Sequence, residues 1–492
     1  MSGNPKPQAD YTAVHLTAEY WPYARTGGLA EAVEGLARYE ARAGVPVVAV
    51  LPLYRSVREA GAALEPAGAE FEVAVGPRRE RGRLWELVRE SRKEPRVLFV
   101  EQDGYFDRAG IYGEGGADYD DNAQRFAFYT AAVIRALPEL VPGRVVLHAH
   151  DWHTALAPVY ARVVHAGQNY YERLATVLSV HNAGFQGHFG RDVLPDVGLP
   201  DELFDWQWLE WYGRVNWMKG GLVFCDAATT VSPTHAHELR TEAGGFGLHD
   251  TFISLHDRFV GILNGIDVQR WDPGADREIT ANYTALDLAG KQRCKAALQR
   301  AYHMPQRART LVFGMSARLV AQKGLDLILG GHALTTGGAQ FVFLGAGEAR
   351  YELALSEIAE AAPERVAVDL DFTDRREHRL LAGADALLMP SLYEPCGLTQ
   401  MRAQRYGALP VARRVGGLID TIEDEETGFL FDEYSPPALE VAVRRALGLY
   451  ADPDAWELHV RKAMTADFGW ERSAMRYLEL YQRALARRTA AH

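Results

Sequence analysis

The residues able to do chemistry in this 492-residue chain stand at the ends of short apolar runs. HAHDWH, residues 148–153, follows the run RVVL and sets His150, Asp151, Trp152 and His153 at a strand end. Three close histidines invite a metal reading. Against it, His148 and His150 lie in or near an alternating strand, and no cysteine or HExxH helix accompanies them. A carbohydrate site accounts for the set better, because a carboxylate binds sugar hydroxyls and an indole covers an apolar sugar face. Core packing is an equally good account of Trp152. SVHNAGFQGHFG then places His181 and Asn182 after the next strand, in a loop kept open by Gly184, Gly187 and Gly190. A lone histidine is ordinarily structural; its position at a second, adjacent strand end points to function.

Cations and glycine turns supply a second kind of chemistry. SARLVAQKGLDLIL carries Arg318 and Lys323 five residues apart after a strand, a pairing suited to clamping phosphate, Arg by forked hydrogen bonds and Lys as a point charge. Solvated surface charge is the commoner fate of both residue types. What favours the clamp is FVFLGAGEARYE, a glycine turn through Gly345 and Gly347 between strand and helix. MPSLYEPCGLTQ ends a strand with Glu394 and Cys396, after which Gly397, Leu398 and Thr399 begin a helix whose amides suit a phosphate. VGGL repeats the device at Gly416 and Gly417. A carboxylate beside an anion-binding helix start is unhelpful for phosphate, so Glu394 is expected to serve sugar hydroxyls. Near the start, RTGGLAEAV offers Arg25, Gly27 and Gly28 before a helix from about Leu29, whose N-terminus would with Arg25 attract a donor's diphosphate; the glycines alone fit an ordinary tight turn, and no GxGxxG follows.

The elements that must position these residues follow one rhythm. Apolar runs such as AVHLTAEY, VPVVAVLPLY, RVVLHAHD and TVLSVHN, then TLVFGMSARL, FVFLGAGE and ALLMPS, each lead through a turn to a helix-period segment. That is the pattern of parallel βαβ units, so the fold class is α/β with two doubly wound domains. Ligands of such domains bind beyond the carboxyl ends of the strands. WDPGADREITANYTALDLAGK suits an interdomain connection, which sets domains at 1–264 and 265–466, with a terminal amphipathic helix in 467–492 spaced by Met475, Leu478, Leu480, Tyr481 and Leu485. A net charge of −12 argues against a general polyanion surface and hence a nucleic-acid partner. Three widely spaced cysteines fit neither a disulfide scaffold nor a zinc cluster and suit a reducing cytoplasm. The start, MSGNPKPQAD, lacks an apolar signal core, and no later apolar stretch reaches spanning length, so no membrane partner is expected. Oligomeric state is left open.

Taken together, ARTGGLAEAV, YGEGGADYDDNAQRFAFYTAAV, HAHDWHTALAPVY, VHNAGFQGHF, TTVSPTHAHEL, ILNGIDVQRWDP, ARLVAQKGLDLIL and EPCGLTQ resemble the bacterial glycogen synthase and plant starch synthase family, in family order from Ala13 to DFGWERSAMRYLELY. The resemblance implies a GT-B fold, two Rossmann-like domains facing a deep cleft, with the last helix crossing back to the N-terminal domain. It implies glucose transfer from ADP-glucose to the nonreducing end of an α-1,4-glucan with retention of configuration. Arg318 and Lys323 then meet the diphosphate, Glu394 and the Cys396 to Leu398 backbone surround the glucose, His181 and Asp151 lie near the reacting centre, and Phe372 stacks on adenine. Three departures stand out: Arg25 and Glu31 replace the family's Lys and Asp, Phe185 replaces a Tyr, and Val415 replaces a Thr. No Asp-x-Asp motif is read beside a plausible nucleotide site, so no metal or other cofactor is expected. The alternatives are another GT-B transferase using UDP-glucose and a small acceptor, and a glucan-binding homologue without turnover. Retention by double displacement and by same-face attack are both open to the residues; the resemblance favours the second.

Overall fold

The computed structural model describes residues 9–68, 70–89, 91 and 93–490; residues 1–8, on which the reading of a polar start rests, lie outside that range. Contacts divide the chain into two compact units, Met1–Gly265 with Trp470–His492, and Ile266–Gly469.

The first unit is built on β1 (Thr12–Leu16), β2 (Val47–Pro52), β3 (Arg96–Glu101), β4 (Val145–His150), β5 (Ala175–Val180), β6 (Ala227–Thr230) and β7 (Phe259–Gly261), parallel in the order β7-β6-β5-β4-β1-β2-β3. Antiparallel strands Arg78–Leu87 and Leu64–Pro66 continue the sheet beyond β3. VVAVLP, VVLHAH and ATVLSV are buried at every position. Runs of that kind form where helices cover both faces of a parallel sheet. Winding reverses beside β1, so the switch point lies between β1 and β4, where ligands of this topology bind.

The terminal helix, Trp470–Ala490, belongs to this unit and packs on helix Leu29–Arg42 and on β4, β5 and β6. Its buried face is Trp470, Ser473, Ala474, Tyr477, Leu480, Tyr481, Ala484 and Leu485. Met475, read from the sequence as part of that face, is 52% exposed. At 100° per residue it lies well off the stripe set by Tyr477, Tyr481 and Leu485. Gly35 and Gly265 exist for Trp470: a Cβ on either would collide with the indole or its backbone.

The second unit repeats the plan with β8 (Val312–Ser316), β9 (Gln340–Leu344), β10 (Val366–Asp369), β11 (Ala386–Met389), β12 (Leu409–Arg413) and β13 (Phe429–Phe431), all parallel in the order β10-β9-β8-β11-β12-β13. Its switch point lies between β8 and β11. The stretch read as an interdomain connection is instead packed within this unit. Trp271 is fully buried and stacks on His378 with ring centroids 4.0 Å apart. Asp276 accepts from His378 Nδ1 at 2.7 Å and from the Tyr406 hydroxyl at 2.6 Å. Burial raises the Asp276 carboxyl, and these hydrogen bonds outweigh it, leaving a net lowering. The polar composition that suggested a solvated linker is satisfied by this network, and the two aromatic residues Trp271 and Tyr283 carry it inward.

Among the described residues no helix is long and apolar enough to cross a membrane. Trp470→Ala should cost about 3–5 kcal/mol of stability, the usual penalty for emptying a buried aromatic site. Met475→Ala should stay within about 0.5 kcal/mol. Chemical denaturation of both variants beside the wild type checks the pair, and equal effects would misplace the helix phase.

Candidate active site

In the first unit the carboxyl ends of β1, β4 and β5 carry the chemistry. Asp151 directly follows β4 and adopts φ 57°, ψ −176°, a backbone region that costs a non-glycine residue about 1–3 kcal/mol. The distortion turns its carboxylate toward the end of β5, where Oδ1 accepts from the backbone N–H of His181 at 2.7 Å and of Asn182 at 3.3 Å. Burial lifts this carboxyl to about 7; the two amides oppose the shift and Glu19 adds to it. Burial also drives His181 down to about 3, so its ring is neutral.

Trp152 is half-buried among Phe126, His153, Phe189 and Trp217. Gly187, at φ +69°, leaves room for the indole, since a Cβ there would come within 2.6 Å of it. Packing therefore accounts for most of this residue, and only its outer edge is left for a ligand. His148, His150 and His15 bring ring nitrogens within 4.8 Å of one another. Every one of those nitrogens already has a hydrogen-bond partner: His148 pairs with Tyr481 and Ser179, His150 with His15 and His181, and His15 with Glu40.

The first glycine turn is organised by a residue the sequence reading missed. Glu19, 3% exposed, accepts from Thr26 N–H and Oγ1 at 2.7 Å each, from Gly27 N–H at 3.2 Å and from the Tyr112 hydroxyl at 2.7 Å. The Gly27 amide, in the turn whose glycines were expected to let the backbone approach a ligand, is thus already given to a carboxylate. Gly28 caps the helix in ordinary right-handed geometry. Arg25 lies 3.8 Å from Glu31, one turn into that helix. A carboxylate six residues before Arg25, and the Tyr that opens YGEGGADYDD, were the available signals.

In the second unit the loops after β8 and β11 meet at the switch point. Lys323 Nζ donates to Glu394 Oε2 at 2.6 Å, and Ser391 Oγ donates to the same oxygen at 3.0 Å. Glu394 is 6% exposed, whereas Arg318 is exposed and forms no side-chain hydrogen bond or ion pair among the described residues. Leu392 N–H donates to Gln322 O, and Gln322 Nε2 to Tyr393 O, which ties the two loops together. Gly324, at φ +74°, is required there because a Cβ would strike Pro390 O.

Gly345 and Gly347 serve the same assembly: a Cβ on either would collide with the carbonyl of Ala317 or Leu319, so both let β9 press against the Arg318 loop. Gly397 and Gly416 have positive φ, and Gly417 lies against the Cys396 carbonyl. Helices begin at Thr399 and Gly416 behind Leu398 and Val415, neither of which makes a side-chain cap bond. Phe372 is 41% exposed beyond the end of β10. Asp369 and Asp371 form an Asp-x-Asp beside it, which the sequence reading passed over; Arg376 pairs with both, at 2.9 and 2.7 Å.

The Asp151 geometry sets a pH dependence. An unfolded carboxyl releases its proton near roughly pH 4. The folded one holds it to about 7, so this group's favourable contribution is complete below the lower value and is lost as pH rises through the higher one. Asp151→Asn keeps the acceptor oxygen and removes the ionisation. The melting temperature of the variant minus that of the wild type should therefore climb between roughly pH 4 and pH 7; a flat difference would mean the carboxyl is not held protonated.

Residues 13–254 match the family model for the starch synthase catalytic domain, and residues 305–462 match that for glycosyl transferases group 1. The chain is 44% identical to a glycogen synthase of Anaeromyxobacter dehalogenans strain 2CP-1 over 476 residues, 95% of this chain and 98% of the other. It is 40% identical to the glycogen synthase of Syntrophotalea carbinolica, again over 95% of this chain and 98% of the other. Among solved structures, the catalytic domain of starch synthase IV from Arabidopsis thaliana, bound to ADP and acarbose, matches with a TM-score of 0.89 at 31% identity, over 97% of this chain and 100% of that one. Sucrose-phosphate synthase from Thermosynechococcus elongatus, at 17% identity and a TM-score of 0.62, shares the fold. With paired doubly wound units and the motif residues at their switch points, the chain belongs to the glycogen synthase and starch synthase family of glycosyltransferases.

Proposed function

We propose that the protein transfers glucose from ADP-glucose to the nonreducing end of an α-1,4-glucan, with retention of configuration and without a metal ion. The observation that carries this reading is Lys323, held by buried Glu394 at the switch point of the second unit beside exposed Arg318. Cleaving the bond between glucose C1 and the diphosphate puts negative charge on the leaving oxygen and positive character on the sugar. Preorganised cations aimed at that oxygen lower the barrier more than any contact made equally before cleavage.

Arg318 and Lys323 take the diphosphate. Glu394 fixes Lys323 and binds glucose hydroxyls with the Cys396 to Leu398 backbone, while the helix starts at Thr399 and Gly416 add partial positive charge. Phe372 gives the adenine a flat partner, which the ADP held by the Arabidopsis enzyme supports. Asp151, His181 and Asn182 serve the reacting sugar, Trp152 offers its outer edge to the acceptor, and Arg25 contributes charge toward the donor. The acceptor hydroxyl attacks C1 from the face the nucleotide leaves: its oxygen forms the new bond, its proton passes to the departing phosphate oxygen, and ADP is released. Three buried free thiols support a reducing, cytoplasmic setting.

Purified protein should lengthen glycogen with ADP-glucose at a rate unchanged by excess EDTA; loss on chelation, restored by a divalent ion, would overturn the metal-free mechanism. Lys323→Ala and Arg318→Ala should each lower kcat by about a hundredfold to a thousandfold with the fold intact, and near-normal turnover would return either residue to the solvated surface.

Arg25→Lys should be tolerated with altered donor KM, because a Lys ammonium keeps the charge and loses the fork. Arg25→Ala should weaken donor use. ADP-glucose and UDP-glucose compared across both variants test this, and wild-type behaviour of Arg25→Ala with both donors would make the turn purely structural.

A further inference from the structure

Four buried or half-buried side chains form a continuous hydrogen-bonded line across three adjacent strands of the first unit. Glu40, on helix Leu29–Arg42, meets His15 Nε2 of β1 through Oε2 at 2.8 Å. His15 Nδ1 meets His150 Nε2, at the end of β4, at 3.0 Å. His150 Nδ1 meets His181 Nε2, just past β5, at 2.9 Å. Glu40 and His15 are 0% exposed and His150 is 1%, so water cannot substitute for any partner along the inner part of the line. His148, tilted against His150 with ring centroids 4.1 Å apart, does not interrupt it, since its nitrogens go to Ser179 and Tyr481.

A neutral imidazole has one donor nitrogen and one acceptor. Three linked end to end can therefore point their protons in only two ways, all toward Glu40 or all away from it. A carboxylate oxygen facing a ring N–H accepts from it. We propose that Glu40 acts as a positioning residue, ordering His15, His150 and His181 so that His181 carries its proton on Nε2 and presents a bare Nδ1 as a hydrogen-bond acceptor.

The direction follows link by link. His15 Nε2–H donates to Glu40, leaving His15 Nδ1 to accept from His150 Nε2–H; His150 Nδ1 then accepts from His181 Nε2–H. Burial holds His150 well below its ordinary pKa and His181 at about 3, consistent with neutral rings. Nδ1 of His181 has no protein partner among the described residues. The ligand that suits it is a hydroxyl donor rather than a carbonyl or a phosphate oxygen, which would meet a lone pair. That the hydroxyl belongs to the transferred sugar rests on the function proposed above; the proton order does not.

The test uses the full chain labelled with nitrogen-15 in its histidine rings, where long-range proton–nitrogen correlation distinguishes the two neutral tautomers. The His181 signal is the one lost in His181→Gln. In the wild type without substrate, His181 should be a single Nε2–H species. Glu40→Gln, whose amide can donate as well as accept, should give a mixture or the reversed form. His150→Phe, which fills the ring's space and cuts the line, should also release the His181 proton. Both variants should lower kcat by on the order of tenfold to a hundredfold, as loss of a tautomer-fixing partner does, with donor KM little changed.

An Nδ1–H or mixed His181 in the wild type overturns the proposal whether or not either variant folds. So does an unchanged tautomer and kcat in both variants. Nε2–H in a wild type that transfers no glucose would support the ordering and count against the functional reading alone.

Discussion

A parallel sheet that winds outward in both directions from its first strand must leave a gap where the winding reverses, because the two connecting chains depart on opposite sides. In each unit that constraint decides where chemistry can sit. Beside β1 and β4 it leaves Glu19, Asp151 and, one strand over, His181; beside β8 and β11 it leaves Arg318, Lys323 and Glu394. Strand interiors buried at every position lock the frame, since a one-residue slip would exchange the contents of two packed faces. In the second unit the loops that close the gap are bound to one another, by Leu392 N–H to Gln322 O and by the Gln322 side-chain amide to Tyr393 O.

Glycine enters this plan as a way to bring backbones together. Gly324, Gly345, Gly347 and Gly417 each press against a carbonyl from a neighbouring loop, where a Cβ would not fit. Their effect on a ligand is indirect: they set how closely the Arg318 loop, the Glu394 loop and the helix starts approach. The same economy is seen at the first glycine turn, where a buried carboxylate collects the amides and hydroxyls of Thr26, Gly27 and Tyr112.

The α/β class and the terminal helix were legible because buried parallel strands and amphipathic spacing leave local patterns. Arg318, Lys323 and Glu394 were legible as types at strand ends; that Lys323 and Glu394, 71 residues apart, form one ion pair was not, since only the strand order brings their loops together. Glu19, Glu40 and His15 were missed for a related reason. Each looks unexceptional in its own segment and gains meaning from partners on other strands. Residues 271–291 misled in the opposite direction, because a polar, Pro-bearing stretch reads as solvated unless its buried partners, here His378 and Tyr406, are known.

Buried polar groups weaken a fold unless paired, and this sheet spends several where an apolar core was available. Glu40, His15, His148, His150 and Asp151 line the region between helix Leu29–Arg42 and the carboxyl ends of β1, β4 and β5, with Asp151 in a strained backbone conformation besides. Leucine and valine would fill such space at lower cost. His148 lies inside this region, held by the equally buried Ser179 and Tyr481. The Glu40 line runs outward: it begins at a carboxylate sealed from water and ends at a ring nitrogen without a protein partner among the described residues. Asp151 fixes the backbone of His181 while His150 holds its ring, so position and proton order are set from two directions. An open-ended network of this kind loses stability at one end in exchange for a defined hydrogen-bonding character at the other, and that exchange is useful only where something binds.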